Sequence, residues 1–169
     1  STKNLFHYFA IFKPVQWPPF NPPKSIHPWV RGAGGMCLIL PLLLPQYCFP
    51  LVWLAFILLL APAHFTDYSS GLFRDLEGGR PRELLEWLSA GLLCGVLWEF
   101  WNFWAGAKWE YTIPYLGWLK IFEMPLLGFL GFPPFALECY LLSHGLFRLR
   151  HWIAGRCNGS NLLFQLLRF

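Results

Sequence analysis

Apolar residues in this chain run in long blocks, and the polar ones gather between the blocks. The first block extends from Val30 to Phe65 and contains no acidic residue. A helix that crosses a bilayer needs about 20 apolar residues at about 1.5 Å rise each, so this block is long for one span and short for two. Charge arbitrates. If Pro45-Gln46-Tyr47-Cys48-Phe49-Pro50 turns the chain, helices near 31–46 and 50–65 form a hairpin, and the basic arm lies on the same side as Arg74, Arg80 and Arg82. A single kinked helix would put Lys3, Lys13, Lys24 and Arg31 outside, against the excess of cations on cytoplasmic loops. The hairpin is the better reading. Residues 66–82, with Gly78-Gly79 and alternating charges, read as a soluble loop. A third span follows at 83–105, announced by Pro81 and by Glu83 and Glu86, which suit the positive end of a helix. Beyond an external loop carrying Lys108 and Lys120, Pro125 and Pro133-Pro134 predict a short broken or re-entrant helix over 117–131 and a last span over 133–150.

The pattern therefore predicts an all-α, polytopic integral membrane helix bundle of about four spans. Residues 1–30 form a proline- and aromatic-rich interfacial arm, 31–150 the membrane domain, and 151–169 a cytoplasmic tail, with the protein in the cell inner membrane and both termini cytoplasmic. Prolines in the arm forbid a long helix, while its aromatic residues are too apolar for a solvated linker. It is expected to lie on the membrane interface or to dock on another subunit. Tryptophans offer an independent check, because they collect at membrane interfaces. Trp98, Trp101, Trp104, Trp109 and Trp118 gather at the predicted outer boundary, and Trp17, Trp29, Trp87 and Trp152 at the inner one.

Composition agrees. Of 169 residues 56% are hydrophobic and 13% charged, with a mean hydropathy of +0.41, where a soluble domain carries roughly 25% charged residues. A pI near 8.9 raises nucleic-acid binding, but the cations do not cluster on any amphipathic or aromatic-ribbed module. The expected partners are membrane lipid and other membrane-protein subunits. Five cysteines show no C-x-x-C and no even disulfide framework, and most fall in apolar runs where Cys acts as a small hydrophobe. The sequon Asn158-Gly159-Ser160 is placed inside and is expected to be inert.

One stretch, LWEFWNFWAGAKW from Leu97 to Trp109, sets a carboxylate and an amide among four tryptophans. On a helix Gly91, Gly95, Glu99, Asn102 and Gly106 fall on one stripe. Gly91 and Gly95 form a G-x-x-x-G, the small-residue surface that lets membrane helices touch. Glu99 is thus expected on the packing face. Glu123 and Glu138 are expected to share its depth in the outer half of the membrane, with Lys108 and Lys120 available as ion-pair partners. Intramembrane carboxylates serve as interhelical glue or mark a binding or proton-handling pocket. A metal site is not expected, since no histidine shares their stripe. His64 and His144, on separate helices near the cytoplasmic side, could in principle hold a haem axially. Two unspaced histidines are too little to argue it, and a hydrogen bond to a freed carbonyl is the plainer reading.

The runs WEFWNFWAGAKWEYTIPY (98–115) and KIFEMPLLGFLGFPPFALECY (120–140), with LPLLLPQYCFPLVW (40–53), resemble an uncharacterised family of bacterial multi-spanning membrane proteins. The likeness covers about 40–145. Longer members carry a further N-terminal membrane half, where this chain has the proline-rich arm. No activity comes with the resemblance. A thinner analogy is to membrane lycopene cyclases, which also place Glu near Pro in short membrane helices. Their P-x-E-E-type motif is absent here, and Glu123-Met124-Pro125 has the order reversed. The expected function is an accessory or scaffold subunit with an aromatic face that contacts lipid, quinone or pigment. The alternative is an intramembrane acid/base enzyme that acts on a prenyl or carotenoid-type substrate through Glu99, Glu123 and Glu138.

Overall fold

In the computed structural model, residues 12, 15–66, 71–111 and 119–156 are described. Four helical stretches among them are long and apolar enough to cross a membrane: Lys24–Leu43, Pro45–Phe65, Arg82–Trp104 and Leu126–Ala154. The chain is an all-α, multi-pass membrane bundle. Its helices are α1 (His27–Leu43), a one-turn α2 (Pro45–Cys48), α3 (Val52–Thr66), a short α4 (Gly71–Glu77), α5 (Arg82–Trp104) and α6 (Phe132–Arg156). Large apolar side chains cover their outer surfaces, Trp29 and Leu42 being 81% and 82% exposed. Such a surface is stable only where lipid is the solvent.

The first two spans form the expected hairpin, with a tighter turn than the sequence suggested. Leu44 alone leaves the helical region, at φ −132° and ψ 63°, because the residue before a proline is barred from it. Pro45 then opens the second span. The predicted turn at 45–50 is therefore the first part of that span, where Pro45 and Pro50 occupy helix-start positions that need no N–H. For the same reason the first span begins seven residues before the expected 31, inside what read as the arm, with Pro28 in the first turn of α1.

Pro133 and Pro134 repeat the lesson. They do not divide two helices; they stand in the first turn of α6, which continues to Arg156 and takes in the start of the expected tail. No short α-helix fills the described part of 117–131. Lys120–Ile121 and Met124–Pro125 pair there as an antiparallel ribbon, β1 and β2, followed by 3-10 turns over Leu126–Gly131 that lead straight into α6. Phe122 at the ribbon's tip has φ 57°, a left-handed conformation unusual for a bulky residue. Its ring is held between Phe100 and Phe103 of α5, at 6.1 and 5.6 Å between centroids.

The spans pack in the order α1, α3, α6, α5. Glycines set the close approaches. A Cβ at Gly34 would lie 2.9 Å from Leu59, and one at Gly91 2.6 Å from the Phe132 carbonyl oxygen. Bundle packing in lipid rests on such contacts, because lipid supplies no hydrophobic drive between helices.

The polar stretch after α3 is not wholly a soluble loop. It contains α4, whose Leu72 and Phe73 are buried with Tyr140 and Leu141 of α6 in the main apolar cluster. Gly79 closes α4 with φ 69°, and the arm docks there. Trp17 N–H donates to the Gly79 carbonyl at 2.9 Å and Phe20 N–H to the Leu76 carbonyl at 3.1 Å. A side chain at Gly79 would strike the Trp17 carbonyl. Arm residues 1–11, 13 and 14, Trp118, Cys157, the sequon and tail residues 157–169 lie outside the described residues.

Candidate functional site

Gly91, Gly95 and Glu99 recur every four residues on α5 and all three are buried. Phe132 and Ala136 of α6 fill the space that side chains at Gly91 and Gly95 would need. One turn beyond that contact stands Glu99, 0% exposed. Its Oε1 accepts a hydrogen bond from the Tyr111 hydroxyl at 2.7 Å. Its Oε2 is buried with no hydrogen-bond partner.

Asn102 brings the tyrosine there. It does not face a neighbouring helix; its amide clamps the chain beyond the end of α5. Asn102 Nδ2 donates to the Trp109 carbonyl at 2.8 Å, and Trp109 N–H donates to Asn102 Oδ1 at 2.7 Å. That double bond folds residues 105–109 back, so that Tyr111 reaches Glu99. Gly106 lies in this turn, outside the helix, with open space where a side chain would be; the expected stripe ends at Glu99. Lys120 Nζ donates to the Tyr111 carbonyl at 3.2 Å, and Lys108 pairs with Glu123 on the turn of the ribbon. Burial and the bond to Glu99 push the Tyr111 hydroxyl up to about 12 from its ordinary 10.0. The hydrogen bond to Glu123 raises the Lys108 ammonium.

The three carboxylates do not converge. Glu123 is outside the spans in its ion pair with Lys108. Glu138 stands twelve residues from Leu126 and sixteen from Ala154, in the middle of the last span rather than near its outer end. The 3-10 turns over Leu126–Gly131 extend the apolar stretch ahead of α6. Glu138 is 7% exposed, its Oε1 lacks a hydrogen-bond partner, and it lies against the Phe56 backbone of α3. Since Gly95 meets Phe132, Glu99 is four residues to one side of that level and Glu138 six to the other, about 15 Å apart along the axis at 1.5 Å per residue.

Two hollows adjoin Glu99. A groove of about 590 Å³ follows the α5–α6 seam from Trp87 to Trp98, floored by Gly91 and Gly95 and walled by Phe132 and Phe135. A chamber of about 210 Å³ lies beyond it, lined by Trp53, Tyr111 and Met124, and it shares Trp98, Phe132 and Phe135 with the groove. An apolar furrow in the membrane thus leads to the residue that bonds Glu99.

His64 and His144 do meet at the basic end, with ring centroids 6.3 Å apart, edge to face. His64 stacks on Phe73 and His144 packs on Tyr140, so both belong to the aromatic cluster around α4. Glu86, expected merely to complement the helix start, is 1% exposed and bonded to Arg82 Nε at 2.8 Å. Among the described residues no group of three or more His, Cys, Asp and Glu is arranged to hold a metal. The residue that sequence reasoning missed is Tyr111. It belongs to no motif, and only the fold-back fixed by Asn102 reveals its role.

No family model, no curated protein and no solved structure matches this chain.

Proposed function

We propose that this chain is a lipid-binding accessory subunit of a membrane complex, which holds one prenyl, polyene or acyl chain in the α5–α6 groove. The observation that carries this reading is the groove itself. It is concave, apolar and aromatic, and it opens to the membrane along a seam. Its length from Trp87 to Trp98 is eleven residues, about 16 Å of helix, which suits an extended hydrocarbon chain. The end bearing Lys24, Arg31, Arg74, Arg80, Arg82, Arg148 and Arg150 faces the cytoplasm of a bacterial inner membrane, by the preference of cations for that side.

Extraction and mass spectrometry of the detergent-purified protein test the reading. The wild type should retain a lipid out of proportion to its abundance in the membrane. Cys94→Trp, which fills the groove from a position exposed on its rim, should lose it while keeping the size profile of the wild type. A wild type carrying only the bulk membrane lipids would sink the proposal.

A second reading has its own observation. Glu99 is fully buried, bonded to a tyrosine, and keeps one oxygen without a partner. That is an arrangement suited to moving a proton in a site without water. Under the enzyme reading Glu99→Gln assembles normally and accumulates an unconverted prenyl or polyene lipid. Under the accessory reading the bound lipid is the same in both proteins.

A further inference from the structure

Resting on the lipid-binding reading, we propose that the chamber takes a flat ring bearing carbonyl oxygens, the head of a prenylated quinone, while the chain behind it lies in the groove. The observation that carries this is the indole N–H of Trp53. Among the described residues Trp53 has a ring contact with Phe49 and makes no hydrogen bond. It lines the chamber, as does Gly131. A Cβ at Gly131 would lie 2.7 Å from Trp53 Cε2, the carbon that bears the indole nitrogen. The unused donor therefore stands at the chamber wall.

Its depth makes this costly. The span Pro45–Phe65 is centred on residue 55, so Trp53 is two residues, about 3 Å, from its middle. The bilayer core supplies no water to accept the hydrogen bond, and a polar group left unpaired there is unfavourable. An indole N–H only donates, so what relieves it is a ligand oxygen with lone pairs. The Tyr111 hydroxyl hydrogen, elsewhere on the wall, is already given to Glu99 and does not compete for that oxygen.

The rest of the wall chooses the shape. Trp98, Phe132 and Phe135 continue from the groove into the chamber, where Tyr111 joins them. Aromatic walls gain from a flat ring by stacking, beyond the burial that any chain would give. A chamber of about 210 Å³ at the end of a groove of about 590 Å³ suits a compact head on an extended chain.

The test uses the full-length protein in mild detergent with tritiated geranylgeranyl naphthoquinone as the probe. Three unlabelled competitors carry the same chain: the naphthoquinone itself, the naphthalene that lacks its carbonyls, and the acetate ester, which has a carbonyl but no ring. The quinone should displace at a concentration roughly three- to tenfold below the naphthalene, the usual net worth of one hydrogen bond, and below the ester as well. Trp53→Phe keeps an aromatic ring over Gly131 and removes the N–H, so its preference for quinone over naphthalene should shrink by that same factor. Each preference is taken within one protein, so partition into detergent drops out when the two proteins are compared. An equal preference in both overturns the carbonyl assignment, and an ester that competes as well as the quinone overturns the ring. A second measurement needs no variant: in the infrared, one carbonyl stretch of the bound quinone should lie below that of the free quinone. Two unshifted carbonyls overturn the bond to Trp53. A protein that purifies with an enriched lipid yet does not bind the probe overturns this inference alone. One that purifies with only the bulk membrane lipids removes the lipid-binding reading beneath it.

Discussion

At the tryptophan-rich end, the described parts of the connection between α5 and α6 are fastened by side-chain hydrogen bonds and ion pairs, through Asn102, Tyr111, Lys108 and Lys120. At the basic end, the connection between α3 and α5 is fastened by apolar burial, through Leu72 and Phe73 of α4. The difference follows from what each connection has to satisfy. Beyond Trp104 the chain turns back with polar backbone groups to satisfy, and the Asn102 side chain bonds both those of Trp109, at about 1 kcal/mol per bond. Between α3 and α5 the chain has an apolar pair to hide, and each such side chain contributes roughly 1.5–3 kcal/mol when buried. One end is held by position, the other by mass of contact. Glu99 is nearer to the end held by position, and the groove spans the middle of the bundle between the two.

Breaking the apolar closure should cost most. Phe73→Ala removes a ring packed between His64 and Phe65, and about 3–5 kcal/mol of stability should go with it. Thermal unfolding in detergent should show the largest fall in Tm of any substitution named here. Next comes Gly79→Val, which puts a β-branched side chain at φ 69° and against the Trp17 carbonyl. A cost of about 1–3 kcal/mol is expected, and the arm should come away from α4. Limited proteolysis at Lys24, slow in the wild type, should become fast; an arm that stays protected would refute the docking. Asn102→Ala, on the polar side, removes both bonds to Trp109, about 1–2 kcal/mol. Its signature is local. Tyr111 should lose its hold on Glu99, seen as faster hydrogen exchange of the amides at 109–111 with α6 unchanged.

Alkali sharpens the comparison at its weakest point. Tyr111 has a folded value near 12, above its unfolded 10.0, so its contribution is whole below pH 10 and is lost as pH rises through about 12. The raised Lys108 adds a loss in the same direction. The tryptophan-rich end should therefore loosen in that window while α4 stays packed, as read by exchange at 109–111 against exchange at 72–76. Tyr111→Phe should flatten the response. Lys108→Ala should have the smallest effect, since the ion pair it removes is solvent-facing. A shift in Tm as large as that of Asn102→Ala would show the pair to matter more than its exposure suggests.

The four spans were legible because their apolar runs are long and their cations fall at alternate loops. The starts of the first two were misread for one physical reason. Pro28 and Pro45 look like breaks when read along the chain, yet a proline at a helix start gives up an N–H that has no partner there anyway. The sequence alone cannot say which side of a proline the helix will take. Glu99 on the packing face was legible from its spacing behind Gly91 and Gly95. Glu138 in the middle of the last span was not, because the 3-10 turns over Leu126–Gly131 add to that span ahead of α6. Nor was α4, whose Leu72-Phe73 pair is too short a signal without the Tyr140 and Leu141 that cover it.

The packing order α1, α3, α6, α5 has a consequence for how the protein is made. The span emerging last from the ribosome is flanked by two that emerge earlier. Until it arrives, the α1–α3 hairpin and α5 wait in the bilayer without the surface that unites them, and α4 has no Tyr140 or Leu141 to bury against. A nascent chain stalled before Phe132 would hold Glu99 with no helix packed on the glycines below it. Packing of these four spans is therefore a single late event, and quality-control proteases would meet them open until α6 slots between its neighbours.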